Sequence, residues 1–382
     1  MVIGGDYQGL GIVRSLGVRG VPVCVVDDER SIAYHSRYAT HRVRVRDLRD
    51  PGRTVQTLLD VGRRLRLDGW VLYATREETV AALARHRELL CEQFRVPTPD
   101  WSVTRWAWDK RNTYALARQL GIPTPATWHP ASVRELRAIE GAPPFALKPA
   151  IKENFFYATK HKAWRADSWS ELVELFEKAT SIAGPGEIMV QELIPGGGSQ
   201  QFADCTFFKD GQHLGRMMAR RLRQHPPMFG RASTYVETVE VPELERHSTR
   251  LLGAIGYYGL AELEYKLDPR DGQYKLLDFN ARTWGYHSLG AGAGVDFPYL
   301  LFADQVGAHV EPCTARPGVR WVRLVTDLPT AAVELKAGRL DWRSYLRSLR
   351  AADVEAVFSW RDPLPGLAEI AMLPYLAVKR GF

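Results

Sequence analysis

The reading turns on Gly259-Leu260-Ala261-Glu262-Leu263-Glu264-Tyr265-Lys266-Leu267, then Asp268-Pro269-Arg270-Asp271-Gly272-Gln273, then Tyr274-Lys275-Leu276-Leu277-Asp278-Phe279-Asn280-Ala281-Arg282. The first block alternates polar and apolar residues as a half-buried strand does. The second has turn composition, and the third is a return strand. Strand side chains alternate faces, so Glu262 and Glu264 share one face, as do Asp278, Asn280 and Arg282. A hairpin symmetric about Asp271 sets Glu264 opposite Asp278 and Glu262 opposite Asn280. Directly opposed carboxylates repel. A hard divalent cation with oxygen ligands offsets that repulsion, and Arg282 suits a phosphate gripped by two parallel hydrogen bonds. A solvated acidic face would interleave lysine and threonine, and would give no reason for Asp-x-Asn-x-Arg.

Upstream, Lys110 precedes a helix over Arg111–Leu120, stopped by Gly121 with Pro123 and Pro125 beyond. Phe145-Ala146-Leu147-Lys148-Pro149 reads as a short strand with an inward lysine, which is costly to bury unless it meets an anion. Only eleven lysines occur and none precedes Lys110, so each carries more information than usual. Glu187–Gly196 reads as a strand ending in a glycine-rich turn, and another strand runs from Gln201 towards Phe208.

Residues 1–100 open with an apolar stub, Met1–Ile3, then Gly4-Gly5-Asp6-Tyr7-Gln8-Gly9-Leu10-Gly11, a helical run, and a valine-rich strand ending at Asp27-Asp28. Strand, glycine turn, helix and strand predict a small open parallel α/β unit. The glycines partly match a dinucleotide fingerprint, but Arg14 stands where the third glycine belongs, so a structural turn is the preferred reading.

With Lys110, Lys148, Gln191-Glu192 and the Glu264/Asp278/Asn280/Arg282 hairpin in one order, the chain resembles the ATP-grasp superfamily. More narrowly it is similar to the carboxylate–amine ligase and carbamoyl-phosphate-synthase-like branch, with D-aspartate ligase a distant relative. The resemblance covers residues 1–310 and is most specific at Leu276–Arg282. It implies a mixed α/β and α+β fold: an N-terminal open parallel (pre-ATP-grasp) domain over 1–100, an ATP-grasp domain over 101–310 and a C-terminal extension over 311–382.

It also implies roles. Lys110 and Lys148 would contact ATP phosphates, the Gln191–Leu193 backbone would hold adenine, Glu192 would sit at the adenine–ribose edge, and Gln201 would take the ribose place. Glu264, Asp278 and Asn280 would bind one or two Mg²⁺ ions, with Mn²⁺ as a substitute. Arg282, with Lys148, would act on the transferring phosphate. The reaction implied joins a small-molecule carboxylate, such as an amino acid or peptide, to an amine with release of ADP. A catalytically silent nucleotide-binding regulator or partner subunit is the competing reading. Two departures stand out. The family's glycine-rich phosphate loop is replaced by a glycine-free stretch, 152–167, in which Thr159, Lys160 or Lys162 would serve. Asp278 also replaces the more usual glutamate.

The remaining features are less specific. Arg216, Arg220, Arg221, Arg223 and His225 form a basic run that reads equally as an acidic-substrate site or as an exposed loop, with Arg220 and Arg223 the substrate candidates. His287 and Ser288 follow the hairpin and either touch substrate or pack. The net charge is +7, but 44 acidic residues are interspersed, so no nucleic-acid partner is expected. Four scattered cysteines without a C-x-x-C pair make neither a zinc site nor a disulfide framework. No signal peptide or transmembrane run is apparent, which points to the cytoplasm. The tail predicts a strand at Trp321–Val325, a helix at Leu340–Leu349, a turn at Asp362–Gly366 and a final apolar helix, Leu367–Val378. Arginines flank that helix as on a membrane-surface helix. Packing onto the core or a homodimer contact is preferred, with no membrane partner.

Overall fold

The computed structural model describes residues 1–227, 229–230 and 232–380. Three sheets organise the chain. The first is parallel, in the order Ala39–Arg44, Val23–Asp27, Val2–Ile3, Tyr73–Ala74. Every residue of Val23–Asp27 is buried, as expected for a strand covered by helices on both faces. The strand Tyr73–Ala74 is short, and Val71 makes only an isolated bridge, to Arg95.

The glycine turn is structural. A side chain on Gly9 would lie 2.1 Å from the Gly4 carbonyl, and one on Gly11 would lie 2.6 Å from the His287 ring. These glycines permit close packing and do not mark a dinucleotide site. Arg76 occupies the acids that a ribose would need, at 2.6 Å from Asp27 and 2.7 Å from Asp28.

The second sheet is antiparallel, in the order Thr127–Trp128, Ile188–Glu192, Phe145–Pro149, Trp164–Ala166. The helix Trp169–Ala183 covers it through buried Leu172, Phe176 and Ala179. The glycine-free stretch is not a loop. It forms the helix Lys152–Thr159, and Thr159 turns its hydroxyl back to the Phe155 carbonyl at 2.8 Å. Helix-compatible residues with no glycine make that outcome natural.

The third sheet has eight strands. Tyr274–Asn280, Gly259–Leu267, Gln201–Lys209, Gln212–His225 and Ala232–Val239 continue into Arg320–Val322 and Val354–Glu355, while Cys313–Thr314 pairs beside Gln212–His225. The tail is therefore woven into the central sheet. Its strand ends at Val322, and a helix begins at Leu324. The last apolar run is two helices, Leu364–Ala371 and Leu373–Arg380, so the expected turn at Leu364-Pro365-Gly366 is a helix start. Proline is tolerated in the first turn, where no intrahelical N–H bond is lost. Among the described residues, no helix is long and apolar enough to cross a membrane.

Asp362 ties this tail to the first sheet. Its buried carboxylate accepts from Arg14 Nε at 3.0 Å, Ser36 Oγ at 2.7 Å and the Arg37 N–H at 2.9 Å. Asp362→Ala strands the Arg14 guanidinium and the Ser36 hydroxyl, and is expected to cost about 3 kcal/mol. Urea denaturation monitored by tryptophan fluorescence measures that loss, and an unchanged midpoint would show that the anchor carries no stability.

Candidate active site

The hairpin register matches the sequence expectation: Glu262 pairs with Asn280, Leu263 with Phe279 and Glu264 with Asp278. A register shift just beyond Glu264 confines that symmetry to the carboxylate end. The opposed acids are balanced by cations from elsewhere. Lys110, at the start of the helix Lys110–Gln119, bonds Asp278, and Arg221 Nη2 lies 3.2 Å from Glu264 Oε2. Burial works against the Lys110 ammonium, but Asp278 outweighs it and pushes the lysine up to about 12. Burial likewise opposes the charged form of Glu264, and Arg221 and Lys162 hold it below the ordinary carboxylate range.

Asn280 links this pair to its neighbours. Its Nδ2 donates to Glu262 Oε2 at 3.0 Å and to Glu264 Oε1 at 3.2 Å, while its Oδ1 accepts from Arg282 Nη2 at 3.1 Å. Tyr286 donates to Glu262 Oε1 at 2.6 Å. Burial and then the charge of Glu264 push Glu262 up to about 7. The sequence sets Glu262 on the Glu264 face and opposite Asn280 but assigns it no role in the site.

Between the second and third sheets runs one cleft with two chemical characters. One end is a cavity of about 440 Å³ lined by Gln191–Ile194, Ala146, Gln201 and Leu277. The other, of about 120 Å³, is lined by Lys110, Lys148, Lys162, Arg221, Glu264 and Asp278. Lys148 and Gln201 line both ends. An apolar slot edged by strand backbone, leading into a nest of cations and carboxylates, has the form of a nucleoside site joined to a phosphate site.

Lys148 Nζ donates to Tyr114 Oη at 2.5 Å, and Tyr114 donates to the Leu277 carbonyl at 2.7 Å. Gln201 Oε1 accepts from Arg221 at 2.6 Å. The Gln191 side chain donates to Thr127 Oγ1 at 2.8 Å. Glu192 is engaged by the Ala126 N–H at 2.9 Å and by Arg270 at 2.8 Å.

Four expected contacts do not reach the cleft. Lys160 caps the 152–159 helix in a left-handed conformation on the exposed side. Arg220 points to the other face of its strand and bonds the Ser199 carbonyl at 2.8 Å. Arg223 would share a face with Arg221, but a bulge between them re-aims it onto buried Asp327 at 2.7 Å. His287 is buried and bonds the Gln8 carbonyl at 2.9 Å, so it packs the first helix. Two of the remaining basic-run residues are also structural: Arg216 pairs with buried Asp204 at 3.2 Å, and His225 meets Thr330 at 3.1 Å.

Arg282 opens onto a separate cavity of about 240 Å³, shared with Tyr7, Gln8, Arg76, Glu77, Glu78, Lys152 and Tyr157. Its Nε donates to Glu77 Oε1 at 2.7 Å. Tyr157, on the helix that replaces the glycine loop, donates to Glu78 at 2.6 Å. Glu77 and Glu78 follow the parallel strand Tyr73–Ala74. The carboxyl end of such a strand is where open α/β sheets bind ligands, a signal that could have found them.

The ion-binding potential of Glu264, Asp278 and Asn280 follows from their chemistry. Among the described residues, no three His, Cys, Asp or Glu side chains converge as a metal cage. Glu264 and Asp278 are hard oxygen donors of the kind Mg²⁺ prefers, whereas the Asn280 amide turns its Nδ2 to Glu264 and its Oδ1 to Arg282.

No family model matches the chain. The D-aspartate ligase of Enterococcus faecium (strain Aus0004) is 25% identical over 306 residues, covering 74% of this chain and 70% of that one. The L-amino acid ligase from Bacillus licheniformis superposes with a TM-score of 0.63 at 18% identity, covering 84% and 77% of the two chains. The biotin carboxylase domain of Hydrogenobacter thermophilus 2-oxoglutarate carboxylase, solved with MgADP, ADP and bicarbonate, gives 0.66 at 15% identity over 84% and 72%. This is the ATP-grasp fold.

In this ATP-grasp chain, burial and then the neighbouring charge of Lys110 push the Lys148 ammonium down to about 7. A folded-state value below the ordinary one means that the nucleotide-free protein binds fewer protons than the unfolded chain. This lysine therefore adds stability as pH rises from about 7, and the contribution is lost as pH falls through that value. A phosphate beside Lys148 restores the charged form. Nucleotide binding at about pH 8 is expected to take up as much as about one proton, falling towards zero below about pH 6. Calorimetry in buffers of different ionisation enthalpy reads the uptake. Lys148→Met should reduce it, and equal uptake by the variant would assign the proton to another group.

Proposed function

We propose that this chain is an ATP-dependent carboxylate–amine ligase that joins an amino acid or a short peptide to an amine. The observation that carries this reading is the single cleft whose apolar end meets the opposed Glu264 and Asp278, flanked by Lys110, Lys148, Lys162 and Arg221. The names of its relatives, a D-aspartate ligase and an L-amino acid ligase, point to the substrate class. A silent nucleotide-binding regulator would have no need for Arg282 at a second cavity beside the phosphate end.

A carboxylate is a poor electrophile because it is anionic and resonance-stabilised. One carboxylate oxygen bonds to the γ-phosphorus of ATP as the bond to the β-γ bridging oxygen breaks, giving ADP and an acyl phosphate. The amine nitrogen then bonds to the acyl carbon, phosphate departs with the carbon–oxygen electron pair, and the ammonium proton passes to solvent. Catalysis of such a transfer is mostly positioning and charge neutralisation.

In this reading the Gln191–Leu193 backbone holds the adenine, and Glu192 and Gln201 border the ribose. Lys110, Lys148 and Lys162 meet the phosphates, with Lys152 beside them. Glu264, Asp278 and Asn280 hold Mg²⁺, or Mn²⁺ in its place, and the ion when bound neutralises phosphate charge. Arg282 reaches the transferring phosphoryl group from the 240 Å³ cavity, which is the place for the carboxylate and amine substrates. Dependence on ATP sets the reaction in the cytoplasm.

The test supplies Mg-ATP and pools of amino acids, D-aspartate included, and dipeptides, and measures ADP and phosphate release. Substrate-dependent release is expected, and Asp278→Ala with Asn280→Ala should lower it about 10²-fold or more. Tight ATP binding without release from any pool would favour the regulator. Absence of ATP binding would overturn the assignment.

A further inference from the structure

The C-terminal helix Leu364–Ala371 buries one face and leaves the other bare. Pro365, Gly366 and Glu369 are buried, and a side chain on Gly366 would lie 2.6 Å from the Phe358 ring. Glu369 is paired with buried Arg323 at 2.5 Å. The opposite face carries Leu364, Leu367 and Ile370, which are 55%, 59% and 49% exposed. Trp360, just before the helix, is fully exposed, and Leu373 follows it at 41%. Isolated exposed leucines are ordinary, but five large apolar side chains within fourteen residues form a patch that needs a partner.

Within Ser359–Leu376 the exposed charge has one sign. Asp362 and Glu369, the acids between Ser359 and Leu376, are both buried in bonds to Arg14 and Arg323. Arg361 is exposed beside Trp360. Arg37, also exposed, donates to the Arg361 carbonyl at 3.4 Å, and exposed Arg30 lies over the Tyr375 ring at 5.6 Å. Pairing this face with its own copy would set arginine rim against arginine rim with no acid between them, which is unfavourable. An anionic surface with an apolar interior meets both features: arginines bind the headgroups, while tryptophan and leucine enter the acyl boundary.

We propose that Trp360 and the outward face of Leu364–Ala371 seat this protein on a membrane surface rich in anionic lipid. This reverses the sequence-level expectation of no membrane partner, which treated the apolar run as buried. The contact is peripheral and does not depend on the ligase assignment.

Flotation of the full chain with vesicles tests it. Binding to phosphatidylcholine vesicles containing phosphatidylglycerol is expected, with little binding to phosphatidylcholine alone and a fall at high salt. Leu367→Glu with Ile370→Glu should weaken binding about tenfold or more, as should Arg37→Glu with Arg361→Glu, and thermal unfolding of the Leu367→Glu, Ile370→Glu variant should be unchanged because both side chains are exposed. Equal binding by both double variants would overturn the proposal. So would failure to bind anionic vesicles together with a dimer, seen by sedimentation, that Leu367→Glu with Ile370→Glu dissolves; that result would assign the face to a second copy.

Discussion

Two carboxylates held opposite each other on one hairpin, Glu264 and Asp278, set the charge balance that the rest of the cleft answers. Left alone they would repel in a poorly solvated place. Each is met instead by a cation from a distant part of the chain: Lys110 from a helix start for Asp278, and Arg221 from a neighbouring strand for Glu264. These cations need the carboxylates equally, since a buried guanidinium or ammonium without an anion is costly. The arrangement is balanced but not closed. Phosphate groups entering the cleft would add to the pull that Glu264 and Asp278 already exert on Lys148 and Lys162, and would further oppose the burial that pushes both lysines down.

The same hairpin connects the nucleotide cleft to the N-terminal sheet. Asn280 bonds both glutamates of the facing strand and also receives Arg282, and Arg282 in turn holds Glu77. The adjacent Glu78 receives Tyr157 from the helix Lys152–Thr159. Two consecutive acids following one parallel strand thus touch both the hairpin and the helix Lys152–Thr159. Arg49 lies over the Tyr157 ring at 4.3 Å and adds a second contact from the N-terminal side. A helix held through Tyr157 stands where the family resemblance implies a glycine-rich loop.

The tail is neither an appendage nor a simple cap. Its strands extend the central sheet, and Asp327 takes the arginine that the bulge turns away from the cleft. Arg323 reaches the N-terminal turn as well, lying 3.9 Å from the Tyr7 ring centroid. One side of the tail is therefore polar and buried, and the other is apolar and bare.

Local rules made much of this legible. Period-two alternation placed Glu262, Glu264, Asp278 and Asn280 on their faces, and a register shift just beyond Glu264 brings the carboxylate end into the pairing of a hairpin symmetric about Asp271. The scarcity of lysine made Lys110 and Lys148 conspicuous, and valine-rich runs with a glycine turn announced the parallel sheet. What sequence could not supply was direction across distance. A bulge at one position separates Arg221 from Arg223, and the burial of His287 depends on a helix nearly three hundred residues away. Glu77 gains meaning only when its strand end arrives beside Arg282. The outward face of Leu364–Ala371 belongs to the same class: amphipathicity is written in the sequence, but which stripe meets the protein is decided by where Phe358 and Arg323 stand. Local conformation follows from neighbours in the chain, whereas the pairing of charges and the choice of buried face follow from desolvation, which only the assembled structure sets.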